Sequence, residues 1–141
     1  MRASVFVGTS VDGFIARRNG DFDFLPDGGG EPHGYDEFMS SVDVLVIGRN
    51  TFEKVLTFEK WPYAEKRVVV LSSRTIDVAN IRGATIEHMS GSPAEITDRL
   101  AASGASHAYI DGGITVQRLL RHVLTKTYPG GMVKSEYEVL N

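Results

Sequence analysis

Residues 42–55 read VDVLVIGRNTFEKV and join a strand to a helix. The run at 43–47 has the length and β-branched content of a strand that is covered on both faces. Asn50 and Glu53 have the spacing of a capping box, so we expect Asn50 to cap a helix just after the hinge residue Gly48. The stretch therefore predicts one strand-and-helix unit of an α/β sheet.

The same alternation continues along the chain. Strands are expected at residues 5–11, 67–71, 84–88, 107–110 and 132–140, and helices at 35–42, 93–103 and from 114 to about 122. The helix after residue 92 has the clearest ends, with Ser92 as cap, Pro93 at the first position, Glu95 soon after and Gly104 just past the end. This order predicts one domain, residues 1–141, with a three-layer α/β fold. We expect a mostly parallel sheet, helices on both of its faces and a C-terminal antiparallel strand.

Composition narrows the class of protein. The 141 residues are 42% hydrophobic and 23% charged, which is typical of a globular domain that lacks a membrane span. The net charge of -3 argues against a nucleic-acid partner. There is no cysteine, which fits a cytoplasmic protein, and the four histidines lack metal-ligand spacing, so no metal is expected.

Ligands of parallel α/β sheets bind beyond the carboxyl ends of the strands. In this chain those ends carry Gly8, Gly48, the group 72–74 and the group 111–113. Gly48 and the pair Gly112 and Gly113 each precede a helix, where unpaired N–H groups attract anions. These positions therefore predict an anion site, and the alternative is that the glycines serve only tight turns.

Polar side chains beside these glycines favour a phosphorylated ligand. Arg49 offers a planar fork for phosphate oxygens and Thr51 a hydroxyl, which together suggest a pyrophosphate. Ser72, Ser73 and Arg74 follow another strand and could hold a second, separate phosphate. A dinucleotide with a 2′-phosphate needs both sites, while the absence of a G-x-G-x-x-G fingerprint disfavours an ordinary Rossmann fold.

Four motifs resemble the dihydrofolate-reductase-like superfamily. They are SVDGFIA (10–16), VLVIGRNTFE (44–53), VVVLSSR (68–74) and YIDGGITVQRLL (109–120). The resemblance is nearest to the C-terminal reductase domain of riboflavin-biosynthesis deaminase-reductases and their small stand-alone relatives. It implies an NADPH-dependent reductase of the 5-amino-6-(5-phosphoribosylamino)uracil reductase type, which transfers hydride to a small heteroaromatic or sugar-like substrate.

The resemblance also implies roles for individual residues. Gly48, Arg49 and Thr51 would hold the pyrophosphate, and Ser72, Ser73 and Arg74, after Leu71, would receive the 2′-phosphate. Gly8 and Ile15 would line the nicotinamide pocket. The remaining implied cofactor contacts, beside the pyrophosphate and nicotinamide ribose, are Asp111, Gly112, Gly113, Ile114, Thr115 and Val116. The strained peptide of the family, often cis, would fall within 111–113.

The substrate side departs from dihydrofolate reductase. Phe38 matches the family's substrate-pocket aromatic, but Gly34 stands where the folate-binding acid would lie one turn earlier. Folate is therefore disfavoured, although dihydrofolate reductase stays an alternative. Asp12 and Asp111 are the candidate catalytic residues; the alternatives are a turn residue for Asp12 and a helix cap for Asp111.

The C-terminal region differs from the family as well. The family segment after about residue 122 is shortened here, and residues 17–33 form a long loop that could close over the substrate. An exposed sheet edge could be completed by a second copy, as a homodimer. The shortening also leaves open a nucleotide-binding protein without turnover, and a third alternative is a structural α/β module whose glycines are turns only.

Overall fold

A computed structural model describes residues 1–10, 12–25, 34–63, 65–78, 81, 84–127 and 133–140. Seven strands and four helices are assigned within these ranges. They are β1 (Arg2–Ser4), α1 (Tyr35–Ser41), β2 (Val44–Gly48), α2 (Arg49–Val55), β3 (Arg67–Leu71), β4 (Thr85–Met89), α3 (Pro93–Ala102), β5 (His107–Asp111), α4 (Gly113–Leu119), β6 (Leu120–Thr127) and β7 (Val133–Val139).

The main sheet has five parallel strands in the order β1-β5-β2-β3-β4. Its centre is β2, where Val46 lies opposite Val69 of β3 and Ile110 of β5. The four residues from Val44 to Ile47 are 0% exposed. A strand that is buried on both faces reads as a continuous apolar run, which is why this stretch locates the centre of the fold.

Helices cover both faces of this sheet. One face packs with α3 and α4, through side chains such as Ile96 and Leu119. The other packs with α1 and α2, through Phe38 and Phe52. The predicted three-layer α/β fold with a mostly parallel sheet is therefore confirmed.

Helix ends followed the local signals at α3 but not at α2. In α3 the Ser92 hydroxyl accepts from the Glu95 N–H and the Glu95 carboxylate accepts from the Ser92 N–H, which confirms the predicted Ser92 cap and forms a capping box. In α2 the cap is Gly48, with no side-chain hydrogen bond, and Asn50 lies inside the first turn. The predicted Asn50 cap is wrong, because β2 passes into the helix without an intervening residue.

The first strand is shorter and earlier than predicted. The expected strand at 5–11 is wrong: β1 pairs with β5 from Arg2 to Ser4, and Val11 lies outside the described residues. Beyond β1 the Tyr109 hydroxyl donates to the Phe6 carbonyl at 2.8 Å. A side chain thus replaces the backbone ladder at the point where the chain leaves the sheet.

The C-terminal region forms a second sheet. β6 and β7 pair antiparallel, which confirms the predicted final strand, while Met132 lies outside the described residues. The helix predicted to about residue 122 ends at Leu119 instead, and β6 begins at once. The apolar period of this stretch fits a helix, but pairing with β7, extended by a Leu140 N–H bond to the Leu119 carbonyl at 2.8 Å, makes residues 120–127 a strand.

Candidate functional site

A crevice of about 550 Å³ opens at the carboxyl edge of the main sheet. It is bordered by the ends of β2, β3, β4 and β5 and by the starts of α2, α3 and α4. The predicted residues that line it are Gly48, Arg49, Thr51, Leu71, Ser72, Ser73, Arg74, Gly112, Gly113, Ile114 and Thr115. The structure therefore brings the two predicted phosphate groups together, as the strand-end rule requires.

The starts of α2 and α4 interlock. A Cβ on Gly48 would lie 2.7 Å from the Thr115 hydroxyl, and a Cβ on Gly112 would collide with the Thr51 hydroxyl. Gly112 also has φ +90, which side chains rarely adopt, although every described peptide bond is trans and the expected cis peptide is absent from these residues. Each glycine thus admits a threonine from the neighbouring helix.

This packing changes the reason for the glycines. We expected the unpaired N–H groups beside Gly48 to attract an anion, but the Thr115 hydroxyl already occupies the space that a Cβ on Gly48 would take. The helices are also short, with seven residues each in α2 and α4, so their dipoles are small. Attraction for an anion therefore falls mainly on the arginines and hydroxyls of the crevice.

Three arginines line the crevice: Arg49, Arg74 and Arg118. Arg49 forms an ion pair with Glu53, whose carboxylate lies 3.8 Å from the Arg49 Nε. Arg74 and Arg118 have no ion pair with any residue that the structure describes. Because none of the described lining residues is acidic, the crevice is a cationic site in a chain of net charge -3.

The serine segment after β3 is held in place by β4. The Ser72 N–H donates to the Met89 carbonyl at 3.1 Å, and His88 Nε2 donates to the Ser72 carbonyl at 2.8 Å. The Ser72 hydroxyl accepts from the Arg74 N–H at 3.0 Å and keeps its own proton available to a ligand. This turn therefore presents Ser72 and Arg74 toward the crevice from a fixed backbone.

Sequence reasoning missed eight residues of the crevice lining. These residues are Asn50, Met89, Ser90, Gly91, Pro93, Ile96, Arg118 and Leu119. A strand was predicted at 84–88, so the strand-end rule already pointed to Ser90 and Gly91, but it was applied to the other strands only. Arg118 had no sequence signal, since nothing local shows that the far end of α4 reaches the crevice.

Asp111 lies near the crevice but does not line it. Its carboxylate accepts from the Gly112 N–H at 2.7 Å, while burial raises its pKa. Burial and the charge of Asp111 also raise the pKa of Tyr35, Tyr63 and Tyr109. The predicted helix-cap alternative is wrong because α4 has Gly112 as its cap, without a side-chain hydrogen bond.

Phe38 packs against Tyr109, the tyrosine whose pKa is raised by burial and by the charge of Asp111. Its ring centroid lies 5.1 Å from that of Phe6 and 4.9 Å from that of Tyr109. Gly34, where a folate-binding acid would stand, caps α1 with φ 74, and Asp36 is exposed. The structure thus gives Phe38 an aromatic setting, and its predicted contact with substrate stays a prediction.

The expected nicotinamide residues lie outside the crevice lining. A Cβ on Gly8 would lie 2.6 Å from Leu25 Cδ2, so Leu25 packs directly over this glycine. Ile15 Cδ1 lies 3.1 Å from a Cβ built on Gly113. Val116 packs against the core on the α3 side of the sheet. Ile15 therefore adjoins the crevice through Gly113, whereas Gly8 is approached by Leu25 and stays exposed. Residues 26 to 33 of the 17–33 loop lie outside the described residues.

Asp12 lies in an exposed turn. It accepts from the Ser10 hydroxyl at 2.5 Å, and the Gly13 N–H donates to the Ser10 carbonyl at 2.9 Å. The Phe14 N–H also donates to the Ser10 hydroxyl at 3.0 Å. These contacts account for Asp12 as a turn residue, and the structure does not bring it to the crevice; its catalytic role stays a prediction.

Two further features bear on the class of the site. Among the described residues, no three His, Asp or Glu side chains are grouped so that they could hold a metal ion. No described helix has the length and apolarity needed to cross a membrane. His107 is buried and His88 is tied to the backbone, whereas His33 lies outside the described residues.

Comparison with known proteins finds one relative in sequence and several in structure. No known protein-family profile matches the chain. The Bacillus subtilis (strain 168) protein YwjB is 30% identical over 112 residues, a match that covers 77% of this chain but only 62% of YwjB. A "Putative riboflavin biosynthesis protein" of Shewanella sp. PV-4 is similar over 100% of both chains, with a TM-score of 0.75 and 26% identity.

A second solved structure agrees in fold. It is the diaminohydroxyphosphoribosylaminopyrimidine deaminase/5-amino-6-(5-phosphoribosylamino)uracil reductase of Thermotoga maritima, with a TM-score of 0.67 and 12% identity. The match covers 99% of this chain and 56% of the Thermotoga chain. The chain therefore has the fold of the Shewanella and Thermotoga proteins, in agreement with the family resemblance of its sequence motifs.

Proposed function

We propose that this protein is a cytoplasmic NADPH-dependent reductase of the riboflavin-biosynthesis reductase type. The observation that carries the proposal is the crevice in which Arg49, Arg74 and Arg118 converge with no described acidic neighbour in the lining. Such a site favours a ligand with several phosphate charges. The Shewanella and Thermotoga similarities support the reductase class.

The crevice fits the phosphates of NADPH. The segment from Gly48 to Thr51 and the segment from Gly112 to Thr115 would hold the diphosphate, since both border the same crevice. Ser72, Ser73 and Arg74 would hold the 2′-phosphate with two hydroxyls and a guanidinium. The helix starts alone would not be sufficient, because α2 and α4 are short.

When bound, NADPH would supply the hydride. The chain would hold it by its phosphates at the carboxyl edge and leave the nicotinamide to reach the side where Ile15 packs against Gly113. Asp111 lies at the end of β5, and burial raises its pKa. A carboxyl group that keeps its proton more readily than usual suits a proton donor, so Asp111 is the better of the two candidates.

The substrate class follows from the same side of the sheet. Phe38, Tyr109 and Tyr35 surround the region of Asp111, so a flat polar ring would find aromatic faces and one carboxyl group. Because Gly34 removes the folate-binding acid of α1, we propose a small heteroaromatic or sugar-like substrate and not folate. The Thermotoga protein is a reductase of a phosphoribosylaminouracil, which supports this class.

A nucleotide-binding protein without turnover is the second candidate. It is favoured by the contact of Leu25 with Gly8, which fills the place proposed for the nicotinamide. If Leu25 stays there when NADPH binds, the phosphates would be held but hydride could not reach a substrate. The two candidates share the crevice and differ only in whether the coenzyme is oxidised.

Titration with NADPH and NADH tests the cofactor proposal. We expect NADPH to bind more tightly by at least about 10-fold, because only NADPH carries the 2′-phosphate. Arg74→Gln should remove most of this preference, whereas Arg49→Gln should weaken both coenzymes. Equal weak binding of both coenzymes by the wild type would contradict the proposal.

Coenzyme oxidation separates the reductase from the second candidate. NADPH oxidation should accelerate with a ribosylaminopyrimidine phosphate and not with dihydrofolate. Tight NADPH binding without oxidation by any pyrimidine or pteridine would favour the second candidate. The homodimer stays a prediction that rests on the open edges of the β6–β7 sheet, and light scattering of the purified chain checks it.

A further inference from the structure

We propose that Arg118 is a second cation for the 2′-phosphate and sets the preference for NADPH together with Arg74. This inference rests on the proposed function, since it assigns a residue to the coenzyme site. Arg118 lies in α4 and lines the crevice with the serine segment after β3. The strand-end rule did not point to it, and the family motif at 109–120 contains Arg118 without implying a role for it.

The position of Arg118 favours the nucleoside end of the crevice. α4 begins at Gly113, beside the proposed diphosphate site, and Arg118 comes five residues later, about 7.5 Å along the helix axis. Its neighbour Leu119 belongs to an apolar part of the lining. This part, made by Leu71, Met89, Ile96 and Leu119, packs into the core on the α3 side. An apolar floor suits a nucleobase, so Arg118 is placed near the base and its ribose and not near the diphosphate.

Charge gives the second argument. Arg49 is already within 3.8 Å of Glu53, whereas the guanidinium groups of Arg74 and Arg118 have no ionic partner among the described side chains. A phosphate monoester carries about -1.5 to -2 charges at neutral pH. Two unpaired guanidinium groups match this charge, while Arg74 alone would leave part of it without a partner.

The test compares ligands that differ only by the 2′-phosphate. The pairs are NADPH with NADH, and adenosine 2′,5′-bisphosphate with adenosine 5′-monophosphate. Arg118→Gln should weaken NADPH and the bisphosphate by roughly 10-fold or more, and should change NADH and the monophosphate by less than about 2-fold. Arg118→Lys should fall between wild type and Arg118→Gln, because the charge remains and the planar fork is lost.

Arg121→Gln is the matched control for a lost surface charge. Arg121 lies only three residues further, in β6, but pairs with Glu138 and does not line the crevice. It should leave the affinities of both ligand pairs unchanged. Circular dichroism of each variant verifies that the fold is intact.

The other outcomes overturn the proposal in distinguishable ways. If Arg118→Gln weakened both members of each pair equally, Arg118 would bind the base or the diphosphate and not the 2′-phosphate. A wild type selective for NADPH with an unchanged Arg118→Gln variant would refute this assignment and leave the proposed function standing. A wild type that binds neither coenzyme would overturn both.

Discussion

Two aspartates at opposite edges of the main sheet show how its ends differ. Asp43 lies just before β2, at the amino edge, and Asp111 ends β5, at the carboxyl edge. The two strands are neighbours, with Ile47 opposite Asp111. Because the side chain is of the same type on two adjacent strands, a difference in its pKa and hydrogen bonds reflects a difference between the two edges.

At the amino edge one oxygen of the Asp43 carboxylate accepts three hydrogen bonds. Asp43 Oδ2 accepts from the Ser106 hydroxyl at 2.7 Å and from the backbone N–H groups of Ser106 at 2.7 Å and His107 at 2.8 Å. These hydrogen bonds, the Ser106 hydroxyl first, lower the pKa of Asp43 to about 2. The network fixes the start of β5 against β2 and gives this edge a structural task.

At the carboxyl edge the Asp111 carboxylate has fewer hydrogen-bond donors around it. Asp111 is more buried and accepts one hydrogen bond, from the Gly112 N–H, and burial raises its pKa. Of the crevice arginines, Arg49 pairs with Glu53, whereas Arg74 and Arg118 have no ion pair within the described part of the chain. The difference teaches that polar groups at the amino edge form hydrogen bonds with one another. At the carboxyl edge they keep more of their bonding capacity for a ligand.

The largest expected effect comes from Gly112→Ala, which attacks the interlock that shapes the carboxyl edge. The new Cβ would strain a residue at φ +90 and collide with the Thr51 hydroxyl. We expect a loss of roughly 2–5 kcal/mol in the free energy of unfolding. Urea denaturation followed by circular dichroism measures it.

Gly104→Ala is the matched control for the backbone strain. Gly104 has φ +88, but a Cβ there meets nothing within 4 Å, so only about 1–2 kcal/mol should be lost. Adding Thr51→Ala to Gly112→Ala should recover the part of the loss caused by the collision. Equal losses in Gly112→Ala and Gly104→Ala would refute the interlock.

Asp43→Asn tests the hydrogen-bond network at the amino edge of the main sheet. Because the folded pKa of Asp43 is about 2, below the ordinary value of about 3.9, its stabilisation is complete above the ordinary value. It is lost as the pH falls through about 2. We therefore expect the variant to melt below wild type at pH 7, with a difference that shrinks between about pH 4 and pH 2.

Thermal melts across this pH range measure the Asp43 effect. Asp98→Asn, at an exposed aspartate of α3, controls for the loss of a surface charge. A melting difference for Asp43→Asn that is the same at pH 7 and pH 2 would contradict the role given to the ionised carboxylate.

Asp111→Asn tests the carboxyl edge. It should change the melting temperature least, and in the opposite direction to Asp43→Asn. A raised folded pKa means that the folded chain binds the proton more tightly, so the cost of the charge appears as the pH rises above the ordinary value of about 3.9. The Asn variant should therefore melt above wild type at pH 7 and approach it at lower pH. NADPH affinity should not change, because Asp111 does not line the crevice.

Asp111→Ala completes the comparison. Alanine removes the charge but also the acceptor of the Gly112 N–H, which asparagine keeps. We expect Asp111→Ala to be less stable than Asp111→Asn at every pH. If Asp111→Asn destabilised the chain more at pH 7 than at pH 4, the carboxylate would be a favourable group and the contrast with Asp43 would disappear.

Much of the fold could be predicted because its signals are short. β3 agrees with the predicted strand at 67–71, and α3 has the predicted cap, first proline and following glycine. The errors lie where a distant partner decided the outcome. β1 follows β5 and not its own apolar pattern, and β6 is a strand because β7 lies beside it.

The candidate site was predictable to the same extent. The strand-end rule brought Gly48, Arg49, Ser72, Arg74 and Gly113 to one crevice, although it cannot show what binds there. It did not reveal that Leu25 approaches Gly8. Loop contacts of this kind depend on packing between segments that no short pattern connects.

The sequence by itself determined the buried run of β2, the ends of α3 and the residues that follow β2, β3 and β5 at the carboxyl edge. These features are encoded within a few neighbouring residues, through apolar period and backbone capping. Only the tertiary structure decided that Thr51 meets Gly112, that Arg118 reaches the crevice and that Asp111 is partly buried while Asp43 gains three donors. The physical reason is that burial and hydrogen bonding between distant segments depend on how the elements pack against one another. A short stretch of sequence does not encode this packing.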